Sequence, residues 1–347
     1  MSLTKFKNYF KLMRVFVLFF TSVLLISCAA TIPKKQMING VSFVASRDAI
    51  SHEHIKPVVS LNANYAAIMP FGFIRDLSNP EIIFNTERQW YGETKIGAKQ
   101  YIETLKEKRI KIMLKPQIWV WRGEFTGYIK MKTEDDWKIL EDSYSKFILE
   151  YAQLAQEVGV ELFCIGTELE QFIANRPKYW THLINEIKTI YKGQLTYAAN
   201  WDEFKRTPFW KDLDYLGIDA YFPVSNIKTP TVEDCKTGWQ EHKTLITSYS
   251  KQFNKPILFT EFGYRSVDFT AKEPWKSDRD ITKVNLEAQT NATKALFEEF
   301  WKEDWFAGGF IWKWYHNHDN SGGESNNRFT PQNKPVEKVV RDVYLIN

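Results

Sequence analysis

The chain is 347 residues long with a formal net charge of +4, and the whole excess lies in Lys5, Lys7, Lys11 and Arg14, because the first 27 positions hold no acidic residue. The remainder is neutral overall, which excludes the basic footprint of a nucleic-acid binder and disfavours an acidic polymer as partner. Aromatic residues make up 16% of the chain and 13 residues are Trp, more than a core of this size requires; indole faces cover the apolar C–H surfaces of sugar rings, so the excess points to a neutral polysaccharide or oligosaccharide.

In chain order, the basic stretch is followed by an apolar run from Val15 to Ile26. The run is too short to span a bilayer, and its flanks are those of a signal peptide. The segment Leu25-Ile26-Ser27-Cys28 resembles a bacterial lipobox, which implies cleavage after residue 27 and a lipid on Cys28. Ala29 is not acidic, so nothing retains the product at the inner membrane. The expected location is the bacterial cell envelope, lipid-anchored in the outer membrane, with the bilayer met through the N-terminal lipid alone. The competing reading is a short membrane anchor followed by an incidental cysteine. Residues 28–39, polar and interrupted by Pro33, read as a tether.

From residue 40 to 347 short apolar runs alternate with longer amphipathic stretches, the signature of parallel strands with crossover helices. The strand candidates are Gly40–Ala45, Tyr65–Phe71, Ile110–Gln117, Glu161–Thr167, Gln194–Ala199, Tyr215–Ala220, Ile257–Thr260 and Gly309–Trp312. Each is near-continuously apolar, as expected when both faces of a strand are covered. Helices are clearest at 134–158, 177–192, 232–252 and 282–303, with a last one from Pro335 to about Leu345. In the first of these, Tyr144, Phe147, Ile148, Tyr151, Leu154 and Ala155 fall on one face. No Gly/Ser linker divides the segment. The expectation is an α/β fold, a single (β/α)8 barrel of the TIM type, in a monomeric protein.

Beyond Cys28, only Cys164 and Cys235 remain; a buried spectator thiol at Cys164 is the reading preferred to a disulfide. His52 with His54, and His316 with His318, are pairs without zinc-ligand spacing. Neither a metal nor a cofactor is expected.

Chemistry in such a barrel sits at the C-terminal ends of the strands. The fourth strand runs into Thr167-Glu168-Leu169-Glu170 and the seventh into Thr260-Glu261-Phe262-Gly263-Tyr264. Glu168 and Glu261 therefore face the same mouth from opposite sides. A retaining glycosidase needs two carboxyl groups roughly 5–5.5 Å apart, one as nucleophile and the other as acid and then base. The competing reading is that one or both cap a helix or pair with a lysine. Glu170 is a rival carboxylate, ranked second because it enters the following helix.

Strand-end glutamates at these two strands are similar to clan A of the glycoside hydrolases, and the chain more closely resembles family 113, retaining endo-β-1,4-mannanases. The resemblance runs through Gly40-Val41-Ser42-Phe43, Asn64-Tyr65-Ala66, Leu114-Lys115-Pro116-Gln117, Gly166-Thr167-Glu168-Leu169, Thr260-Glu261-Phe262-Gly263-Tyr264 and Phe329-Thr330-Pro331-Gln332 with Lys334-Pro335. It implies Glu168 as acid/base, Glu261 as nucleophile, and mannan or glucomannan as substrate. Many clan A enzymes carry Asn before the acid/base, binding the substrate's 2-hydroxyl; Thr167 stands there instead, with a hydroxyl of shorter reach.

Around the pair, Trp312 and Trp314 sit two apart on the eighth strand and are expected to share a face, one as the floor under the sugar. Tyr221, after Asp219-Ala220, is placed to hydrogen-bond the nucleophile. Asn200 and Trp201 end the fifth strand, while Lys115, Gln117 and Trp119 alternate at the third and are expected to line the mouth. Arg122 and Arg265 read as surface or loop-anchoring residues. The loop 316–328 is either one wall of the cleft or a solvated connection. Other functions weighed are a Schiff-base lysine at Lys115, a non-catalytic glycan-binding lipoprotein on the same barrel, and a hydrolase of another β-glycan, since fold does not determine substrate.

Overall fold

The computed structural model describes residues 36–277 and 283–346. The readings for the signal segment 1–27, Cys28 and the tether up to residue 35 lie outside the described residues.

Apolar runs become strands because both their faces find apolar partners. β1 (Ile38–Phe43), β2 (Tyr65–Ile68), β4 (Lys111–Leu114), β6 (Leu162–Thr167), β7 (Gln194–Asn200), β8 (Leu216–Asp219), β9 (Ile257–Phe262) and β10 (Phe306–Trp314) pair in parallel and close into a barrel, in the order β1-β2-β4-β6-β7-β8-β9-β10. All eight expected strands are present. β1 begins at Ile38, so the last two residues assigned to the tether belong to the barrel. Along each strand alternate residues point inward. Ile38, Tyr65, Met113, Leu162, Cys164, Leu258 and Phe310 form an inner cluster, and Gly40 leaves room for the Phe310 ring, which an added Cβ would meet at 2.3 Å.

The outward residues pack on helices. α1 (His52–Ser60) and α2 (Lys95–Glu107) follow β1 and β2. After β4 comes α3 (Glu134–Glu157), which buries the expected stripe of Tyr144, Phe147, Ile148, Tyr151, Leu154 and Ala155. Its Thr133 cap accepts from the Asp136 amide, satisfying one of the donors that a helix start leaves orphaned. Short α4 (Glu170–Asn175) leads to α5 (Pro177–Ile190), with Pro177 at a first-turn position where the missing N–H costs nothing. α6 (Val232–Phe253) starts on a Thr231/Asp234 capping box and stops at Asn254 in the left-handed region, φ 50°. α7 (Leu286–Phe300) and α8 (Pro335–Ile346) complete the ring.

Two expected strands are shorter than their apolar runs. β2 stops before Pro70 and β4 before Pro116, and each run then resumes as β3 (Phe71–Ile74) and β5 (Gln117–Val120), which pair with each other, while Phe73 also bridges Ile83. Neither proline can donate a ladder hydrogen bond. The register is unchanged across the break, Ile68 opposite Leu114 and Phe71 opposite Gln117. The result is a small parallel sheet that continues these two strands beyond the barrel.

The barrel's seam joins its first and last strands. Gly40 sits opposite Phe310 on β10, and the seam is tied from outside: Trp301 Nε1 donates to Asn39 Oδ1 at 2.8 Å, Asn39 Nδ2 to the Tyr344 carbonyl at 3.3 Å, and Tyr344 Oη to the Gly40 carbonyl at 2.8 Å.

Candidate active site

Three strands carry an extra residue near their C-terminal ends. On β6, Cys164 to Thr167 spans the stretch that β7 covers from Thr196 to Ala198. On β9, Phe259 to Glu261 matches Ile218 to Asp219 on β8. On β10, Ile311 to Trp314 matches Val41 to Phe43 on β1. A bulge breaks strict alternation and re-aims the side chains beyond it, and these three bulges present Glu168, Glu261 and Trp312 to one cleft of about 1150 Å³.

Glu261 is 6% exposed, and each of its oxygens accepts from donors on or just beyond other strands. Lys115 Nζ and Gln117 Nε2 donate to Oε1 at 2.5 and 3.1 Å, and Tyr221 Oη donates to Oε2 at 2.8 Å. Lys115 also donates to both oxygens of Asp219, at 3.1 and 3.2 Å, and Asp219 accepts from Thr260 Oγ1 at 2.7 Å. Burial works against the Lys115 charge, but Asp219 and Glu261 raise its pKa above the ordinary lysine range, so it stays an ammonium. Burial, followed by the charge of Glu261, pushes Asp219 up to about 7. One buried ammonium thus serves two buried carboxyl groups.

Glu168 stands in a different setting. Its φ is 51°, a conformation a non-glycine residue adopts only where its surroundings hold it. Its amide donates to the Ala198 carbonyl at 2.8 Å, and no side-chain donor holds its carboxyl group among the described residues. Burial first, then the charges of Asp219 and Glu261, raise its pKa well above the carboxylate range, with Lys115 opposing. A proton-bearing carboxyl group and a carboxylate clasped by donors therefore face one cleft, the arrangement that divides acid and base roles between two like residues.

The expected site residues fall into three groups. Gln117, Trp119, Thr167, Asn200, Trp201, Tyr221 and Trp312 line the cleft with Glu168 and Glu261. Lys115 does not reach the opening, because it is fully buried beneath Asp219 and Glu261. Trp314 is the correction: it is fully buried in the layer between strands and helices, because the β10 bulge puts it on the side of Ile311 rather than that of Trp312. The Thr167 hydroxyl is buried, with the Cys164 thiol as its neighbour. Glu170 begins α4, as expected, and pairs with Arg206. Arg265 anchors a loop through the Asn327 carbonyl at 3.2 Å, and Arg122 is exposed. Of the loop 316–328, only Arg328 borders the cleft. Cys164 and Cys235 are both buried free thiols.

Sequence reasoning missed several lining residues. Phe125 and Tyr128 lie beyond β5, Trp275 stacks on Trp201 with ring centres 5.2 Å apart, and Lys313 lies over the rings of Trp312 and Tyr315. All stand outside the apolar runs; a surplus of aromatics in polar segments was the available signal. The peptide bond between Trp312 and Lys313 is cis.

The model of Glycoside Hydrolase Family 113 matches residues 44–334. Among solved structures, the chain is similar to a β-mannanase of this family from Alicyclobacillus acidocaldarius, with 21% identity, a TM-score of 0.76, and coverage of 90% of this chain and 98% of that one. A second β-1,4-mannanase of the family matches at 22% identity and a TM-score of 0.76, covering 90% and 100%. A β-glucuronidase from Faecalibacterium prausnitzii matches at 14% identity and a TM-score of 0.58, and this chain spans 49% of it. No curated protein matches in sequence.

Proposed function

The chain belongs to glycoside hydrolase family 113 and is a glycoside hydrolase; from that premise we propose that it is a retaining endo-β-1,4-mannanase acting on mannan or glucomannan, with Glu168 as acid/base and Glu261 as nucleophile. The observation that carries the assignment of roles is the contrast between the two carboxyl environments: three donors on Glu261, and a raised pKa without a side-chain donor on Glu168.

In the first step a Glu261 oxygen attacks the anomeric carbon while Glu168 gives its proton to the departing glycosidic oxygen. The Lys115, Gln117 and Tyr221 donors fix the nucleophile's orientation. Tyr221 remains a donor throughout, because burial and the neighbouring carboxylates hold its hydroxyl well above its ordinary range. Once Glu261 is esterified, its charge no longer raises the Glu168 pKa. Glu168 is then an anion facing water, and it takes the proton of the water that releases the sugar. Two displacements return the original anomeric configuration. Trp312 fits the role of platform under the sugar beside the scissile bond.

The mannanase reading rests on the family and on the names of the two similar enzymes. Its test is a panel of β-mannan, glucomannan, β-glucan, xylan and chitosan, followed by reducing ends, with the anomer of the first product read by proton NMR. Release of β-configured manno-oligosaccharides of several lengths supports it. A first product of α configuration, or turnover of another glycan in preference to mannan, overturns it. Lipid anchorage through Cys28 is likewise our proposal, resting on the lipobox-like segment; Cys28→Ser should move the protein from the membrane to the soluble fraction.

A further inference from the structure

Behind Glu168, on the side away from the cleft, lies a buried polar chain that the two-carboxylate mechanism does not use. Tyr197 on β7 is fully buried, its ring set among Trp180, Phe209 and Trp210 at centroid distances of 6.0, 5.5 and 6.2 Å. In that apolar shell its hydroxyl has two polar partners. It accepts the amide of Leu169 at 2.6 Å and donates to Glu203 Oε1 at 2.7 Å. The second oxygen of Glu203 accepts the Asn200 amide at 3.0 Å. Glu203 is itself only 2% exposed.

Leu169 follows Glu168 directly, and that neighbour gives the chain its meaning. The backbone carrying Glu168 leaves β6 through a bulge and passes through φ 51°. Three bonds from neighbouring elements are among those that pin it there. Tyr144 Oη donates to the Ile165 carbonyl at 2.7 Å, the Glu168 amide donates to the Ala198 carbonyl at 2.8 Å, and the Leu169 amide donates to Tyr197. The first two act before or at Glu168; beyond it the Leu169 amide is held by Tyr197, while the Leu169 carbonyl accepts from the Ile173 amide of the following helix at 2.9 Å. Nothing on the Glu168 carboxyl group itself fixes its direction, so its aim depends on its backbone. A buried amide left without an acceptor is costly, and the backbone would turn to find one.

We propose that Tyr197 and Glu203 are positioning residues for the acid/base: Glu203 orients the Tyr197 hydroxyl so that its lone pair receives the Leu169 amide, and this fixes the direction from which Glu168 delivers its proton. The proposal rests on the reading of Glu168 as the acid. It predicts a loss of kcat/KM, which reports the first displacement, confined to substrates whose leaving oxygen must be protonated, because an activated phenolate leaves without that proton; the second displacement, in which Glu168 is the base for both substrates, enters kcat alone. A role in folding alone would slow both kinds of substrate alike.

The test compares kcat and KM of wild type, Tyr197→Phe, Glu203→Gln and Glu168→Ala on a manno-oligosaccharide and on a 2,4-dinitrophenyl β-mannoside. Tyr197→Phe keeps the ring packing and removes only the hydroxyl; its kcat/KM on the oligosaccharide should fall about 10- to 100-fold, the scale of one lost buried hydrogen bond. Its kcat/KM on the dinitrophenyl substrate should stay within about threefold, with any fall in kcat there matched by a fall in KM, because only the second displacement is slowed. Glu203→Gln leaves one of its two partner donors facing an NH2 group, so it should give a smaller split in the same direction, and it serves if the tyrosine variant does not fold. Equal losses of kcat/KM on both substrates, or no loss on either, overturn the relay. Glu168→Ala separates the two ideas: if it does not itself show the split, the acid assignment has failed, and if it does while the relay variants do not, only the relay has.

Discussion

The ends of β6 and β9 set their glutamates in opposite ways. At β9 the side chain is held and the backbone stays extended: Glu261 lies within the strand, just past its bulge, and accepts from an ammonium, an amide and a phenol. At β6 the backbone is held and the side chain is left alone: Glu168 sits at φ 51°, with its neighbours pinned by Tyr144, Ala198 and Tyr197. Donors aimed at an oxygen favour an anion, whereas burial without donors favours the proton. Two residues of one type thereby acquire two chemistries, with no difference in the side chains themselves.

That contrast breaks most completely when either glutamate is removed. Glu261→Ala should abolish turnover of every glycoside, by more than about 10⁴-fold, because no covalent intermediate forms. Added azide should restore a product of inverted configuration, read by NMR. Glu168→Ala should lose about 10²- to 10⁴-fold in kcat/KM on polymer but little in kcat/KM on an aryl glycoside with a good leaving group, and azide should there speed the second displacement and give the retained product. Matching behaviour of the two variants would erase the assigned division of roles.

Next in size is the ammonium that serves the β9 side. Lys115→Met leaves Asp219 and Glu261 buried without their shared cation, a loss of about 3–5 kcal/mol in urea unfolding. Its charge also lowers the Glu168 pKa. Without it Glu168 keeps its proton to higher pH, so the alkaline limb of kcat/KM should move upward. A limb that moves down, or stays, contradicts the electrostatic account.

The smallest effect sharpens the β6 side. Burial pushes Glu203 up to about 8 in the folded protein, while an unfolded glutamate titrates near about 4.3. Between those values the native state holds a proton that the unfolded chain has released, so this group's contribution to stability is complete below the lower value and fades as pH rises through the upper one. Urea midpoints from pH 4 to 9 should show that decline in wild type and a flatter profile in Glu203→Gln. Parallel profiles would remove Glu203 as its source.

The sequence made the barrel legible because β6 and β9 are apolar on both faces and end in a carboxylate, a pattern written in consecutive residues. Tyr221 was also readable, since its place after Asp219 at a strand end brings it to the mouth. What was not readable depended on register. Trp314 looked like a partner of Trp312 under simple alternation, and the extra residue on β10 turns it into the helix layer. The β3–β5 sheet was hidden because Pro70 and Pro116 lie in different segments of the chain and interrupt their runs at matching rungs. Glu203 and Tyr197 gave no signal at all: a glutamate in a polar loop and a tyrosine in a strand are unremarkable until folding brings one to the other.

The seam between β1 and β10 bears on how the protein is made. Residues 38–43 leave the ribosome early, yet one edge of β1 has no partner until residues 306–314 follow. Until then two unpaired strand edges, on β1 and on the growing side of the sheet, are open to any other chain. Contacts this distant in sequence form slowly, because the loop they close is long. The ties from Asn39 to Trp301 and Tyr344 are the last to be drawn, so a truncation that removes α8 should be felt first as aggregation during synthesis, before any loss of catalytic power could be measured.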